Sequence, residues 1–536
     1  MLSPRYLCIG LLLLPVLPAF GQNAAVSHQR AQAHSPPTSA PVASPQVRAI
    51  ILPIDGMETD SAQAIITRDL QYGDRVNIVS AGVMHAPTAV IKALATAQGV
   101  TVTLIDPLSG AVRQQHDFPL PIVALPHDQA IADSLNQAFT VRDVLRNARL
   151  ARAEVVRDSL GVEIAKKAPK LRNNKAKADY AILVAQRDTL LRAALADAVL
   201  VRGEGERDEA SRAGVQSAAI ARDAVVRDSV ARARRWAIHG VSDAVEEWMT
   251  GHRGIAQSRV AYVSNGEIRV IDFDGANDHA VTRANKTSGK AMSPAWRRDG
   301  TAIVYSEMND AGTQIALVNL LTGQIQSLAA TPRGLNITPV FSADDKWVIY
   351  ANGTDAHTSL VAVRPDSVTS LKRLPLNRLF DADEPILSPD GTRIAYVSSR
   401  PKTPQIYSSN LDGSDERIEA PAPPKTRVYH TSPDWSPDGR MIAYQQQNGD
   451  FQVWVVNRAN HAVRKLTTKG ENEDPSWAPD ARHLAITSNR GGAKAIWVLD
   501  VETGHFRQLS AAGDARLSSW SGQIGSGSPA TVSVAR

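Results

Sequence analysis

The chain has 536 residues, of which 43% are apolar and 5% aromatic, and its formal net charge is +5. The length exceeds that of one ordinary domain, and the apolar fraction excludes a chain that is disordered throughout. The single cysteine, Cys8, excludes a disulfide framework.

The first 21 residues have the composition of a secretory signal peptide. Arg5 supplies the positive charge, Leu7–Phe20 is apolar, and Ala19–Gly21 resembles a cleavage site. The apolar run is shorter than the roughly 20 residues that a membrane-spanning helix needs. We therefore predict a cleaved signal over 1–21 and a secreted protein without membrane insertion.

An α/β pattern follows a tail that we predict to be disordered over 22–47, because Ala, Ser, Pro and Gln dominate it without periodicity. The pattern occupies 48–126, and a final helix over 236–252 completes the small domain. The predicted elements are a strand at Arg48–Ile54, a helix at Asp60–Leu70, and a hairpin of Val100–Asp106 with Ala111–Leu120.

Residues 127–235 differ in composition from their surroundings. They are rich in Ala and Arg, and 141–240 holds 21 Lys and Arg against 13 Asp and Glu. We predict two or three long helices, broken at Pro169 and at Gly203–Gly205, inserted into the α/β domain. This insertion has two interpretations: a basic arm for an anionic partner, or a helical insertion whose charges only keep it soluble.

From residue 254 a unit of short strands recurs. Its fullest copy reads Ser-Pro-Asp-Trp-Ser-Pro-Asp-Gly over Ser432–Gly439, followed by an apolar strand. The repeated aspartate falls at Asp299, Asp344, Asp390, Asp438 and Asp480, at spacings of 45, 46, 48 and 42 residues. A period in the forties with short strands is typical of propeller blades.

Six such units fit into 253–522, so we predict a closed six-bladed β-propeller with a disordered tail over 523–536. The fold class is therefore multidomain: a six-bladed β-propeller preceded by a small α/β domain that carries a long helical insertion. We interpret the tryptophan of the repeat as packing between blades and its aspartate as forming a turn.

The repeat resembles that of the TolB family of periplasmic propellers. The junction Ala244–Val263, a helix ending in Thr-Gly before an Arg-Val-Ala-Tyr strand, is similar to that family's domain junction, and Ile51–Ile54 corresponds to its opening strand. The resemblance covers roughly 48–126 and 236–522. It implies a periplasmic protein of the Tol–Pal envelope and cell-division machinery that binds a Pal-like peptidoglycan-associated lipoprotein, with a TolA-like inner-membrane protein as a second partner.

Signatures of catalysis are absent from the sequence. It contains no Gly-x-Ser-x-Gly, no His-Glu-x-x-His and no phosphate-binding loop motif, so we predict no enzyme activity, cofactor, metal or nucleic-acid partner. Two alternatives stay open: an orphan secreted propeller scaffold, and an accessory propeller related to prolyl-type peptidases.

Two acidic pairs are the candidate partner-binding residues. Asp383 and Glu384 precede Pro385, and Glu473 and Asp474 precede Pro475. Each pair begins the predicted innermost strand of a blade, so the four side chains are expected to meet at the channel mouth. They have two interpretations: binding of a basic partner segment or a cation, or solvated loop carboxylates.

Overall fold

The computed structural model describes residues 47–56, 59–80, 86–121, 127–168, 174–284, 289–310, 312–330, 334–353, 357–376, 380–422, 427–511 and 513–524. The predicted signal peptide, all but the last residue of the predicted N-terminal tail, the break at Pro169 and residues 525–536 lie outside these ranges. Among the residues described, no helix combines the length and the apolar composition that a membrane crossing requires.

A small mixed sheet forms the N-terminal α/β region, with a short helix and the end of a later, longer helix packed against it. Its elements are β1 Val47–Ile51, β2 Asp55–Gly56, α1 Thr59–Tyr72, β3 Val76–Ile78, β4 Ala89–Ala95, β5 Gly99–Ile105 and β6 Val112–Pro119. The strand order is β3-β1-β4-β5-β6, with β2 paired to β4. Strand β1 runs parallel to both neighbours, and β4, β5 and β6 are antiparallel. The predicted opening strand, helix and hairpin are confirmed.

Two helices follow: α2, His127–Lys167, and α3, Asn174–Thr250. The prediction of long helices is confirmed, but the break at Gly203–Gly205 is wrong, because α3 runs through both glycines. The helices pack as a hairpin, and a Cβ at Gly205 would lie 3.2 Å from Arg146 Nη1. Each glycine costs about 1 kcal/mol in a helix, and the packing and ion pairs between α2 and α3 outweigh this.

The C-terminal part of α3 belongs to the core of the α/β region. Ile238, Val241 and Val245 are buried against α1 and the sheet. The predicted final helix over 236–252 is therefore present but is continuous with the insertion. Because no interruption of α3 marks residue 235, the division into domains at 126 and 235 stays a proposal.

The rest of the described chain forms six four-stranded antiparallel sheets. We number them as blades 1 to 6. Their strands are, in blade 1, β30 Arg516–Trp520, β7 Arg259–Ser264, β8 Glu267–Asp272 and β9 His279–Ala280; in blade 2, β10 Lys290–Trp296, β11 Ala302–Asn309, β12 Gly312–Asn319 and β13 Ile325–Ala330; in blade 3, β14 Leu335–Phe341, β15 Val348–Gly353, β16 Thr358–Arg364 and β17 Ser367–Arg373; in blade 4, β18 Asp383–Leu387, β19 Arg393–Ser398, β20 Gln405–Asn410 and β21 Arg417–Ile418; in blade 5, β22 Tyr429–Trp435, β23 Met441–Asn448, β24 Asp450–Asn457 and β25 Val463–Lys465; and in blade 6, β26 Asn472–Trp477, β27 His483–Ser488, β28 Ala495–Asp500 and β29 Phe506–Gln508.

The predicted six-bladed propeller is confirmed, and the ring closes through blade 1. Its first strand, β30, comes from the C-terminal end of the propeller and pairs with β7 from the N-terminal end. Trp520 adds a hydrogen bond from its indole Nε1 to Ser258 Oγ at 2.9 Å. The two ends of the propeller are thereby held in one sheet.

The repeated residues have the structural roles that we predicted. In all five repeats the aspartate Oδ1 accepts a hydrogen bond from the backbone N–H two residues later, at 2.8–3.2 Å, which fixes the turn between the first two strands. The tryptophans of the repeat, Trp296, Trp435, Trp477 and Trp520, are buried. The tyrosine that ends the motif is also buried, as in Tyr305, Tyr350, Tyr396 and Tyr444.

The α/β region and the propeller meet through buried charged groups. His483, on β27, is fully buried, and its Nδ1 lies 2.8 Å from Asp480 Oδ2. Its Nε2 lies 3.3 Å from Oδ2 of Asp74, which follows α1. Burial alone would lower the pKa of His483, but the carboxylates of Asp480 and Asp74 outweigh it and raise the pKa to about 9. A charged imidazole therefore links the two regions.

Candidate functional site

The first strand of every blade is interrupted at the same place. The ladder between the first and second strands shifts register in all six blades, which is the mark of a β-bulge. The residues at the interruption all have a left-handed backbone, with φ between 48° and 55°: Ser293, Thr338, Glu384, Ser432, Asp474 and Leu517.

None of these six residues is glycine, so each carries a conformational cost of about 1 kcal/mol. A cost repeated in every blade indicates that the bulge is built into the repeat, and such strain often occurs at functional positions. We call these six positions the bulge ring. Two of the four candidate residues from the sequence, Glu384 and Asp474, belong to it.

Side chains of the preceding blade bind the backbone N–H groups that the bulges free from the ladder. Ser432 N–H donates to Glu384 Oε2 at 2.5 Å, and Leu517 N–H donates to Asp474 Oδ2 at 3.1 Å. Asp474 N–H in turn donates to Gln445 Oε1 at 2.8 Å. The two acidic members of the ring therefore connect neighbouring blades.

The other residue of each acidic pair, Asp383 or Glu473, directly precedes the ring residue in the chain and has a different environment. Glu473 accepts a hydrogen bond from Lys494 Nζ at 2.8 Å, so its charge is compensated. Asp383 is partly buried, and within the described chain its Oδ1 has no hydrogen-bond partner. Burial and the charge of Asp381 raise the pKa of Asp383, and they outweigh a side-chain hydrogen bond with Thr358 that lowers it.

Burial decides the ionisation of this cluster. It raises the pKa of Asp383 to about 7, with a further contribution from the charge of Asp381. It also raises the pKa of Glu384 to about 7, and the carboxylates of Asp383 and Asp474 add to the effect against the Ser432 N–H. The charge of Asp474 in blade 6 thus contributes to the raised pKa of Glu384 in blade 4.

The remaining ring carboxyl behaves similarly. Burial raises the pKa of Asp474 to about 6, and Glu473 contributes to the shift. A fifth carboxyl, Asp434 on β22, was missed by the sequence reasoning. It accepts a hydrogen bond from Trp477 N–H at 2.6 Å, and burial raises its pKa to about 7. Asp434 follows the repeat proline, whereas the two acidic pairs precede it.

Buried carboxyl groups favour a cationic ligand, and Lys494 already supplies one positive charge beside Glu473. Several of these groups have a pKa near neutrality, so the cluster changes charge over a narrow range of pH. A basic side chain that entered the ring would find acceptors that are already fixed by blade-to-blade hydrogen bonds. Whether the four predicted residues bind a partner stays a prediction.

Two groups in the described chain have spacing compatible with a metal ion, and both lie at the junction between the α/β region and the propeller. They are Asp69, His239 and Asp274, and Asp74, His483 and Asp500. Arg68 and Arg235 both pair with Asp274, and Arg482 pairs with Asp500 at 2.6 Å. These guanidinium groups already neutralise the carboxylates of Asp274 and Asp500. The two sets of residues therefore act as ion-pair networks at the junction.

A comparison with protein families identifies the propeller. The model of the TolB β-propeller domain matches residues 246–524, which is more than half of the chain. The matched range begins within α3 and includes every blade.

Individual relatives carry the same name. The Tol-Pal system protein TolB of Francisella tularensis subsp. mediasiatica is 25% identical over 280 residues, covering 49% of this chain and 62% of the relative. The Tol-Pal system protein TolB of Bordetella pertussis is 28% identical over 181 residues, covering 33% of this chain and 40% of the relative. The chain thus matches less than two thirds of the length of these relatives.

A solved structure extends the likeness of fold beyond the propeller. The crystal structure of TolB from Acinetobacter baumannii superposes with a TM-score of 0.59 at 16% sequence identity, covering 90% of this chain and 98% of that one. At this identity the comparison concerns the fold, which is shared over the α/β region and the propeller together.

Proposed function

Because the chain belongs to the TolB β-propeller family, we propose that it is a non-catalytic periplasmic component of a Tol–Pal envelope and cell-division system. In this proposal it binds a Pal-like peptidoglycan-associated lipoprotein. The signal-peptide pattern of 1–21 supports a periplasmic location, and the absence of catalytic motifs from the sequence supports a binding role. A TolA-like inner-membrane protein is the second proposed partner.

The observation that carries the proposal is the acidic part of the bulge ring. A closed propeller satisfies its own backbone hydrogen bonds, so its faces are free to carry binding groups. Glu384 in blade 4 and Asp474 in blade 6 each accept a hydrogen bond from the backbone of the next blade, and Asp383 precedes Glu384 in the chain. We propose that a basic segment of the lipoprotein binds these carboxylates.

The test is a calorimetric titration of the purified chain with the cognate Pal-like domain. The test variant carries Asp383→Asn, Glu384→Gln, Glu473→Gln and Asp474→Asn, because amides keep the acceptor oxygens of the blade-to-blade hydrogen bonds. The matched control carries Asp366→Asn and Glu502→Gln, which are exposed carboxylates on other loops. We expect the ring variant to bind about 10- to 100-fold more weakly, as for the loss of one or two charge pairs, and the control to bind like the wild type.

The pH dependence of the same titration gives a second readout. The pKa of Asp383 and that of Glu384 are each raised to about 7, so both groups ionise as the pH rises from 6 to 8. Binding to a basic segment should therefore tighten over this range in the wild type and change less in the ring variant. No binding by the wild type would refute the Tol–Pal assignment and favour an orphan scaffold, and equal binding by both would keep the partner but reject these residues.

A further inference from the structure

The helical hairpin exposes many large apolar side chains. Within α2, each of the following is more than half exposed: Val141, Val144, Leu145, Val155 and Val162. Further exposed apolar residues occur on α3, among them Ile182, Leu195 and Leu200. Single exposed apolar residues are ordinary, but a concentration on one element marks an interaction surface.

Along α2, seven exposed small or apolar residues and Asp158 follow a heptad repeat, and the exposed Leu145 lies outside it. Val141, Ala148, Val155 and Val162 are spaced by seven residues, and a second set three positions later consists of Val144, Ala151, Asp158 and Ala165. All eight residues are exposed. We call them the outer seam of α2.

Helix α3 does not cover this seam, because it contacts the opposite side of α2. Phe139 and Ile164 are buried on that side. On the same side, Arg146 Nη1 lies 2.8 Å from Asp143 Oδ1, and Arg146 Nη2 forms a salt bridge with Asp208 of α3. At 100° per residue, Val141 and Val155 lie about half a turn around the helix from these contacts.

We infer that the outer seam of α2 binds the same seam of a second copy of this chain, as an antiparallel coiled coil. A repeat of 3.5 residues keeps an apolar stripe in register only with another helix that supercoils with it. The seam spans three and a half heptads, about 36 Å of helix, which is the length that coiled coils require. A seam that pairs with itself also closes the assembly at two copies.

Charge selects the antiparallel orientation. Asp158 is the charged member of the seam, and in a parallel pair it would face Asp158 of the second copy in the same layer. In an antiparallel pair centred near residue 153, Ala148 of the second copy lies opposite Asp158, and Arg152 of the second copy follows one turn further on. Val144 then meets Val162 of the second copy. The antiparallel pair thus replaces a like-charge contact with an opposite-charge one.

Sedimentation equilibrium of the full chain tests the proposal. We expect a dimer at about 10 µM and at least a 30-fold weaker association when Val155→Glu and Val162→Glu place like charges in the seam. The control is Val368→Glu on β17, another exposed valine, which should leave the dimer intact. Circular dichroism should show the same helix content in all three proteins.

A spin-label distance tests the orientation. The only native cysteine is Cys8, so a chain with Cys8→Ser and Lys166→Cys carries one nitroxide. The antiparallel dimer predicts about 40 Å between the two labels along the helix axis, whereas a parallel dimer predicts less than about 20 Å.

Three outcomes would overturn the inference. They are a chain that stays monomeric up to about 100 µM, a dimer that the seam substitutions do not weaken, and a short distance between the labels. If the chain is monomeric, the partner of the seam would instead be a helix of a different protein. None of these outcomes bears on the proposed binding at the bulge ring, which uses a different part of the molecule.

Discussion

At the scale of single residues, the buried histidine of the junction links ionisation to stability. His483 lies between Asp480 of the propeller and Asp74 of the α/β region. Its pKa is raised from 6.5 to about 9. The stabilisation that follows is fully present below about pH 6.5, the unfolded value, and is lost as the pH rises through about 9.

We expect the free energy of unfolding of the wild type to fall by about 2–3 kcal/mol between pH 6.5 and pH 9.5, from the loss of this proton. His483→Gln should be less stable than the wild type at pH 6.5 and should have a flatter profile. His116→Gln, an exposed histidine on β6, is the control and should follow the wild type. Urea unfolding at each pH measures all three, and parallel profiles for His483→Gln and the wild type would contradict the assignment.

At the scale of the element, the bulge in each first strand combines strain with hydrogen bonding to the preceding blade. Thr338 of β14 shows both features. Its φ is 50°, its N–H donates to Ser306 Oγ at 3.1 Å, and its buried Oγ1 has no partner in the described chain. A β-branched residue is poorly suited to this conformation, and glycine has no such cost.

Thr338→Gly should therefore raise the free energy of unfolding by up to about 1 kcal/mol, because it removes the strain and the unpaired hydroxyl while keeping the N–H. Thr103→Gly, in the ordinary strand β5, is the matched control and should lower it by about 0.5–1 kcal/mol. Thermal unfolding of both variants measures the difference. Equal destabilisation by the two substitutions would show that the bulge is not strained.

At the scale of the whole molecule, closure of the ring depends on a strand far from its partner in the sequence. Strand β30 is the innermost strand of blade 1, where Ser519 pairs with Ala261 and Trp520 with Val260. Without β30, strand β7 would have an open edge and blade 1 would lose contacts with blades 2 and 6.

A chain that ends at residue 510 should therefore have a melting temperature at least about 10 °C below that of the full chain, because lost packing lowers the free energy of unfolding. It should also aggregate through the open strand edge. A chain that ends at residue 524 keeps β30 and is the control, with a melting temperature within about 2 °C of the full chain. Differential scanning calorimetry and light scattering make the comparison. Equal melting of the two truncations would show that closure does not stabilise the ring.

The sequence by itself determined the blade count, the helical character of 127–235, and the opening strand, the first helix and the hairpin of the α/β region, but it did not predict β2, β3 or β4. The repeated aspartates predict the turns because an aspartate side chain binds the backbone two residues ahead, which is a local interaction. These α/β elements were predicted for the same reason, since strand alternation and the spacing of Ile65, Ile66 and Leu70 depend on near neighbours. The acidic pairs were also found in the sequence, as residues that begin an inner strand.

Only the tertiary structure decided what depends on residues that are distant in the chain. The continuity of α3 through Gly203 and Gly205 comes from packing against α2, which local propensity does not contain. The pairing of β30 with β7 joins strands more than 250 residues apart. The pKa of Asp383 and that of Glu384 depend on how deeply the ring buries them, and the sequence does not record burial.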